Sequence, residues 1–255
     1  MTSLVVLMGH GIGYSASPAM HNAAFRAMGI DAHYQLRDVP AGALSEEVAE
    51  LRGPDRLGAN VTKPHKLAVC DLVDERAPDV ERLGAANTIV RHGDRLVAHN
   101  TDLAAITAEL AELGAGGRRA VVLGAGGASR AAIAALEDLG GEATVVTRAT
   151  WDDMADELAR AEVVVNATPI GTEDPSATPV PAELLRRDLA VLDLVYRPSP
   201  TRLVREAQAI GAPARGGAGM LLRQAADSFT LWTGREAPVD AMRAALHAEL
   251  GAIHA

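Results

Sequence analysis

Two short motifs of this sequence contain the residue types needed for proton transfer. Residues 60–66 read Asn-Val-Thr-Lys-Pro-His-Lys, and residues 100–102 read Asn-Thr-Asp. A lysine ammonium can give a proton to a reacting oxygen or take one from it, and a neighbouring carboxylate can orient that ammonium. Lys66 and Asp102 are therefore a candidate catalytic pair. Lys63 is of the same type as Lys66, but we expect it to have no catalytic role.

A glycine-rich turn follows these motifs along the chain. The apolar run 120–123 leads into residues 124–129, Gly-Ala-Gly-Gly-Ala-Ser, which is a strand, turn and helix start typical of a dinucleotide site. Glycines let backbone N–H groups approach a pyrophosphate, and the helix N-terminus adds partial positive charge. A helix-capping loop without a ligand is the alternative, since Ser129 replaces the third glycine of the usual pattern. A redox cofactor with a lysine and a carboxylate predicts dehydrogenation of an alcohol.

The end of the next predicted strand bears on the choice of nicotinamide cofactor. An acidic side chain there would bind a free ribose 2′-hydroxyl, but this chain has Thr147 and Arg148, and a guanidinium suits a 2′-phosphate. NADP is therefore favoured over NAD. A solvated arginine is the alternative, and Asp152 and Asp153 follow shortly afterwards.

Ser15 and Ser17 follow the first predicted strand, where ligand sites open at the carboxyl edge of an α/β sheet. Two hydroxyls at this spacing can both donate to one carboxylate. The same segment is equally compatible with a serine N-cap that has Pro18 at the first helical position. We expect His21 to be packed or capped rather than catalytic.

Composition limits the class of protein. The chain has 255 residues, 48% of them hydrophobic, a net charge of −9 and one cysteine. The acidic balance argues against nucleic-acid and membrane partners, and the single cysteine excludes an internal disulfide and a cysteine-based metal cluster. No apolar run approaches the length needed to span a bilayer. We therefore expect a cytoplasmic protein that acts on a small molecule without a metal.

Apolar runs and helical patterns alternate along the chain, which predicts an α/β fold of two domains that meet near residues 102 and 103. The predicted strands are 4–8, 32–36, 57–61, 86–90 paired with 95–98 as a hairpin, 120–123, 143–147, 163–166 and 190–194. The predicted helices are 18–28, 41–51, 64–73, 103–113, 129–139, 151–161, 181–187, 220–232 and 239–250.

Taken together, the motifs resemble those of shikimate dehydrogenases, which are NADP-dependent enzymes that interconvert 3-dehydroshikimate and shikimate in the route to aromatic amino acids. The resemblance runs over nearly the whole chain, in one order. Its motifs are residues 15–22, 60–66, 84–88, 100–102, 124–129, 166–171, 193–198, 217–221, 224–226 and 231–234. The family's layout implies a substrate domain of residues 1–102, completed by 220–255, and an NADP-binding Rossmann-like domain of residues 103–219.

The resemblance also implies roles for individual residues. Lys66 and Asp102 would be the catalytic pair. Ser15 and Ser17 would hold the substrate carboxylate with Tyr196 nearby, and ring hydroxyls would bind Thr62, Asn87 and Gln224. On the cofactor side, the pyrophosphate would lie on Gly124, Ala125, Gly126, Gly127 and Ala128, the adenosine 2′-phosphate on Thr147 and Arg148, and the nicotinamide by Leu194, Gly217 and Met220.

Several alternatives stay open at this point. Relatives with similar motifs act on quinate or an aminoshikimate, and a non-catalytic NADP-binding regulator would keep the glycine turn without needing Lys66 and Asp102. Two departures from the family pattern touch the substrate and cofactor sites: Tyr14 replaces a common histidine, and Thr147-Arg148-Ala149 replaces the usual Asn-Arg-Thr. The sequence is compatible with a monomer and with a homodimer.

Overall fold

The computed structural model describes residues 2–251 and divides into two compact units. The first unit contains the chain up to Thr101 and again from Leu222 onward, and the second unit contains Asp102–Leu221. Met1 and residues 252–255, which the sequence analysis assigns to the first domain, lie outside the described residues. Within residues 2–251, no helix combines the length and the apolar character that crossing a membrane would require.

Strands and helices alternate through both units. The strands are β1 (Ser3–Gly9), β2 (Ala32–Asp38), β3 (Arg56–Val61), β4 (Glu75–Arg76), β5 (Thr88–His92), β6 (Arg95–His99), β7 (Arg119–Leu123), β8 (Glu142–Val146), β9 (Val163–Asn166), β10 (Ala190–Asp193) and β11 (Ala214–Arg215). The helices are α1 (Ser17–Ala27), α2 (Leu44–Glu50), α3 (Pro78–Leu83), α4 (Thr101–Glu112), α5 (Gly127–Asp138), α6 (Met154–Arg160), α7 (Arg202–Ala209), α8 (Ala218–Thr233) and α9 (Val239–Gly251). The predicted α/β class is confirmed.

The first unit is built on a mixed sheet of six strands in the order β2-β1-β3-β5-β6-β4. β1 runs parallel to β2 and β3, whereas β5 runs antiparallel to β3 and β6. Because of these directions, the carboxyl ends of β1 and β3 and the amino end of β5 share one edge of the sheet. The predicted hairpin of β5 and β6 is confirmed, and it turns at Gly93, whose φ is +67°.

The second unit is built on a parallel sheet of five strands in the order β11-β10-β9-β7-β8. Valines such as Val122, Val164 and Val191 are fully buried, as expected for parallel strands covered on both faces. After β7 the chain pairs β8 on one side of that strand and β9 on the other. Ligands of doubly wound sheets bind outside the carboxyl ends of the strands at such a reversal.

The predicted helix over residues 64–73 is wrong, because the segment forms turns followed by a single 3₁₀ helix, Ala68–Asp71. Two interactions replace the helical hydrogen-bond ladder here. The carbonyl of Lys66 accepts from the backbone N–H of Ala86 at 2.8 Å, and the N–H of Cys70 donates to Leu67 rather than to the residue four positions back. Lys66 therefore lies in a turn and not at the start of a helix.

The predicted helix over 181–187 is also wrong, since only Ala182–Leu184 form a 3₁₀ turn. Leu185 is buried with an extended backbone, and the Arg186 guanidinium donates to the carbonyls of Leu158 and Ala161 at 2.8 and 2.7 Å. These contacts favour an extended chain over another helical turn. The helix predicted over 151–161 starts later, at α6, after a 3₁₀ helix over Arg148–Asp153. Four elements were not predicted from the sequence: β4, α3, α7 and β11.

Candidate active site

Two loops of the first unit start side by side at the carboxyl ends of β1 and β3. The backbone N–H of Thr62 donates to Met8 at 2.9 Å, and that of His10 donates to Lys63 at 3.1 Å. A Cβ on Gly9 would lie 2.5 Å from Thr62 Cγ2, so this close approach requires glycine. The loops that contain Ser15 and Lys66 thus leave the sheet at the same edge.

The serine pair forms a local turn at this edge. The backbone N–H of Ser17 donates to the Ser15 hydroxyl at 3.3 Å, and Ser15 is half-buried while Ser17 is buried. The N-cap of α1 is Ala16, and no side chain caps the helix, so the serine N-cap alternative is wrong. Pro18 does lie in the first turn, as expected.

The lysine turn after β3 is half-buried at Thr62 and Lys66 and exposed at Lys63. The hydrogen bond from Ala86 to the Lys66 carbonyl fixes the backbone of this turn against the segment before β5. Lys63 Nζ lies 5.4 Å from the ring centroid of Tyr14, a cation–π distance. Tyr14, which stands where a histidine is common in the family, therefore has Lys63 over its ring.

Asn87 and Gln224 complete the set of residues that the resemblance assigns to the substrate in this unit. Asn87 directly precedes β5, and its carbonyl accepts from the N–H of Val61 at 2.7 Å, which puts it at the same edge as Thr62. Both side chains are buried. Gln224 lies in α8, one turn before Ser228, and the Ser228 side chain contacts Asn60 and Thr88 at the ends of β3 and β5.

His21 is packed, as expected. Its ring stacks on Tyr34 with centroids 4.4 Å apart and lies 5.2 Å from the ring of Trp232. Complete burial lowers the pKa of His21 to about 3, so the imidazole is neutral near pH 7. A neutral ring inside the core has no access to a reacting group.

Asp102 is buried in the first turn of α4 and belongs to the second unit, whereas Lys66 belongs to the first. The opening residue of the motif has a structural role: Asn100 donates from its backbone N–H to Asp79 at 2.6 Å and from Nδ2 to the Ala85 carbonyl at 2.8 Å. These bonds fix the start of α4. The pairing of Lys66 with Asp102 stays a prediction.

The glycine turn of the second unit follows β7 and leads into α5. Gly124 has a φ of +115°, and a Cβ there would lie 3.0 Å from the Ala167 carbonyl oxygen. Gly126 is the N-cap of α5, no side chain caps the helix, and a Cβ at Gly126 would meet open space. Ser129, at the third glycine position, donates to the Gly124 carbonyl at 2.7 Å and closes the turn. The backbone N–H groups at this helix N-terminus form a potential anion site.

Thr147 and Arg148 lie next to this turn. The N–H of Gly124 donates to the carbonyl of Val146, the last residue of β8, at 2.9 Å. Thr147 then exchanges side-chain and backbone hydrogen bonds with the segment up to Thr150 as a capping box, and Arg148 is exposed. The arginine is thus available to an anionic ligand beside the glycine turn.

Leu194 and Gly217 are in direct backbone contact. A Cβ on Gly217 would lie 2.4 Å from the Leu194 carbonyl oxygen, and the Gly217 N–H donates to Val195 at 3.1 Å. Met220 is buried in the first turn of α8, and Tyr196 is half-buried. The three residues predicted to lie by the nicotinamide therefore come from two segments that meet after β10.

A buried hydrogen-bond network at the ends of β9 and β10 was not predicted from the sequence. Asp193 accepts from Asn166 Nδ2 at 2.8 Å, from the Val195 N–H at 3.0 Å and from the Thr201 hydroxyl at 2.6 Å. Burial raises the pKa of Asp193, and these three donors oppose that rise. Both Asp193 and Asn166 end apolar strands inside quoted motifs, and that position was the available signal.

A buried ion pair of the second unit was also missed. Glu109 is 0% exposed and accepts from Arg215 Nε at 2.6 Å. A Cβ on Gly219 would lie 2.4 Å from Glu109 Oε1, which puts the carboxylate against the first turn of α8. Glu109 lies on the same face of α4 as the buried Ile106 and Leu110, so its position on an apolar face was a signal that it is paired.

Comparisons with known proteins agree with this arrangement. The family pattern of the shikimate dehydrogenase substrate binding domain matches residues 7–89, and that of the shikimate 5′-dehydrogenase C-terminal domain matches residues 217–247. A shikimate dehydrogenase (NADP(+)) from Halorubrum lacusprofundi is 45% identical over 96% of this chain and 98% of its own length.

Two solved structures have the same fold. Shikimate 5-dehydrogenase from Thermus thermophilus, in complex with NADP(H) and shikimate, superposes with a TM-score of 0.88 at 37% identity, over 97% of this chain and all of that one. Quinate dehydrogenase from Corynebacterium glutamicum, in complex with NAD, has a TM-score of 0.86 at 29% identity, over 97% of this chain and 99% of its own. Sequence identity over nearly the full length shows that the chain belongs to the shikimate dehydrogenase family.

Proposed function

We propose that this protein catalyses the reversible, NADP-linked reduction of 3-dehydroshikimate to shikimate. The observation that carries the proposal is the convergence of three segments of the first unit on one sheet edge. These segments contain Ser15, the pair Thr62 and Lys66, and Asn87. They converge in a chain 45% identical to a shikimate dehydrogenase. We further propose that the first unit binds the substrate and that the second binds NADP.

The polar side chains at this edge match the functional groups of the substrate. Ser15 and Ser17 offer neighbouring hydroxyls for its carboxylate, and Thr62, Asn87 and Gln224 offer hydroxyl and amide groups for its ring hydroxyls. Tyr196, from the second unit, is assigned to the carboxylate by the resemblance alone.

The residues of the second unit fit the cofactor. The open N-terminus of α5 suits a pyrophosphate, and the exposed Arg148 beside it suits a 2′-phosphate. NADPH, when bound, supplies the hydride for the ketone carbon. Gly217 lies against the Leu194 backbone, and we assign Leu194 and Met220 to the nicotinamide, where their apolar side chains would exclude water from the reacting atoms.

In reduction, Lys66 Nζ gives a proton to the ketone oxygen as the alcohol forms, and in oxidation the lysine takes that proton back. In this proposal Asp102 would position the lysine rather than carry the proton itself. Composition supports a specific need for lysine at this position. The chain has 24 lysine and arginine residues, of which only Lys63 and Lys66 are lysines. Arginine stays protonated at physiological pH, so it cannot replace lysine in proton transfer.

Steady-state kinetics with shikimate and quinate, each with NADP+ and NAD+, test the proposal. We expect the highest kcat/KM with shikimate and NADP+. A preference for quinate or NAD+ would instead assign the chain to the activity of the Corynebacterium glutamicum relative. If the protein oxidises neither shikimate nor quinate, an aminoshikimate is the next substrate to measure. If it oxidises none of the three alcohols, a non-catalytic NADP-binding regulator is favoured.

Matched lysine substitutions test the mechanism. Lys66→Arg keeps a cation but removes the transferable proton, so we expect kcat to fall at least about a hundredfold. Lys63→Arg keeps the cation over Tyr14 and should leave kcat within about twofold of the unsubstituted protein, because Lys63 takes no part in proton transfer. Near-normal turnover by Lys66→Arg would exclude Lys66 as the proton donor. Location in the cytoplasm and the choice between monomer and homodimer stay predictions that fractionation and light scattering would check.

A further inference from the structure

A buried polar cluster lies behind the substrate edge of the first unit. We call it the Ser228 cluster, and its members are Asn60, Asn87, Thr88, Thr101 and Ser228. All five are at most 6% exposed. Buried hydroxyl and amide groups are costly unless they are hydrogen-bonded, so their partners define the arrangement closely.

Ser228 is the centre of this cluster. Its Oγ lies 2.8 Å from the Thr88 hydroxyl, 3.2 Å from the Thr101 hydroxyl and 3.1 Å from Asn60 Nδ2. It also lies 2.9 Å from the carbonyl of Gln224, to which it can donate its single proton. With that proton donated, Ser228 Oγ can only accept, and its two lone pairs face Asn60 Nδ2 and the two threonine hydroxyls.

The amide orientation of Asn87 is fixed by one of the same threonines. Asn87 Oδ1 accepts from the backbone N–H of Thr101 at 2.8 Å, and Asn87 Nδ2 donates to the Thr101 hydroxyl at 2.9 Å. A backbone N–H can only donate. In a flipped amide, Asn87 Nδ2 would face the Thr101 N–H, and two donors would then face each other. The Thr88 hydroxyl lies 3.0 Å from Asn87 Oδ1 as well as 2.8 Å from Ser228 Oγ, and it can donate its one proton to either oxygen.

The hydroxyls of Thr88 and Thr101 therefore each touch both Ser228 and Asn87. Loss of the Ser228 hydroxyl would remove one partner from each threonine and release the rotation of both hydroxyls that hold the Asn87 amide. We propose that Ser228 is a positioning residue for substrate binding, which acts through Thr88 and Thr101 to hold Asn87 in the orientation that binds a ring hydroxyl. This inference rests on the proposed function, which gives Asn87 its substrate role.

The first test is Ser228→Ala, measured as KM and kcat for shikimate and KM for NADP+. Because one neutral hydrogen-bond partner is lost, we expect the shikimate KM to rise about fivefold. The NADP+ KM and kcat should change less than about twofold, because the side-chain hydrogen bonds of Ser228 among residues 2–251 go to residues of the first unit. An unchanged shikimate KM, or an equal rise in both KM values, would overturn the inference.

Thr230→Ala is the matched control. Thr230 lies in the same helix and makes the same kind of bond to the carbonyl four residues back, to Ala226 at 3.0 Å, but it is exposed. The substitution therefore reproduces the change in helix propensity without touching the Ser228 cluster. We expect both KM values to match those of the unsubstituted protein.

A double-mutant cycle with Asn87→Ala separates positioning from general loss of structure. If Ser228 acts through Asn87, Ser228→Ala should raise the shikimate KM no further in the Asn87→Ala background. The same fivefold rise in both backgrounds would show that Ser228 acts independently and would overturn the inference. A nonspecific loss of stability would not produce this coupling.

Two further outcomes are distinguishable. If Ser228→Ala does not yield folded protein, Ser228→Cys retains a side chain of similar shape with a weaker hydrogen-bonding atom, and the same cycle applies to it. If the unsubstituted protein does not turn over shikimate at all, the proposed function fails and the inference falls with it. If that protein turns over shikimate and the cycle shows no coupling, the inference alone fails.

Discussion

In the first unit, the buried polar side chains of the described residues are amides, hydroxyls and histidines, whereas the second unit buries three carboxylates, Asp102, Glu109 and Asp193. The amides and hydroxyls of the Ser228 cluster are held by directional neutral hydrogen bonds. Glu109 is held by a guanidinium, and Asp193 accepts from one donor at the end of β9 and from two donors after β10.

The difference follows from what each polar centre holds in place. The proposed substrate role of Asn87 needs a defined orientation of its amide, and a charge beside that amide would compete for the same donors. Carboxylates bind backbone and side-chain donors strongly, and in the second unit they hold segments of the chain in place. Asp193 holds the loop after β10, and Glu109 lies at the first turn of α8. The neutral Ser228 cluster thus serves orientation, whereas Asp193 and Glu109 serve anchoring.

The largest expected effect comes from placing a charge in the neutral centre. Asn60→Asp keeps the shape of the side chain but replaces its Nδ2, which donates to the Asn87 carbonyl at 3.1 Å and to Thr88 and Ser228, with a carboxylate oxygen. We expect the free energy of unfolding at pH 7 to fall by about 4 kcal/mol, measured by urea denaturation.

The pH dependence of that variant gives a second check. A buried aspartate among acceptors has a folded-state pKa above its unfolded value, so the penalty is complete above the folded-state pKa and fades as the pH falls toward about 3.9. The deficit should therefore be smaller at pH 5 than at pH 7. Gln208→Glu, an amide-to-acid change on an exposed residue, should stay within about 0.5 kcal/mol, and a similar loss in both variants would contradict the comparison.

Removing the cation from a charged centre should have the next largest effect. Arg215→Ala leaves the buried Glu109 without its guanidinium, and we expect a loss of about 3 kcal/mol, because Arg215 is 35% exposed and water replaces part of its contribution. Arg243→Ala breaks an ion pair of the same 2.6 Å length, with Asp240, at the surface and should cost less than about 1 kcal/mol. Thermal and urea unfolding of both variants give the measurement.

The Glu109→Gln background sharpens this result. If the cost of Arg215→Ala comes from an uncompensated buried charge, it should shrink once residue 109 is neutral. A full loss in that background would mean that the arginine stabilises the unit through packing alone.

Sequence periodicity predicted most of the fold but not its irregular turns. Buried strands such as β7 and β9 have continuous apolar runs, and these were predicted to within a residue. The turn at Lys66 was predicted as the start of a helix that follows Pro64, whereas the hydrogen bond from Ala86 that redirects the backbone comes from a distant segment. Long-range backbone bonds of this kind have no local signature.

The same limit applies to the candidate site. Motifs identified residues such as Thr62 and Asn87, because their order along the chain matches a family. Ser228 has no signal beyond its position one helical turn after Gln224, since its role depends on which strands α8 packs against. Its partners Thr88 and Thr101 are 140 and 127 residues away in sequence. Only the folded chain brings them together.

The smallest expected effect concerns the buried histidine of the first unit. The pKa of His21 is lowered from 6.5 to about 3 by burial, so the unfolded chain binds a proton at this position between those values and the folded chain does not. The stability that His21 contributes is therefore complete above pH 6.5 and declines as the pH falls, by about 1.4 kcal/mol per pH unit.

His21→Phe keeps an aromatic ring against Tyr34 and removes the titration. Its free energy of unfolding, measured in urea at pH 7, 6 and 5, should fall less steeply than that of the unsubstituted protein. His33→Gln removes an exposed imidazole and should leave the slope unchanged. Parallel pH profiles for the His21→Phe variant and the unsubstituted protein would show that the first unit accommodates a charge at His21, and the contrast between a neutral and a charged interior would then not extend to this residue.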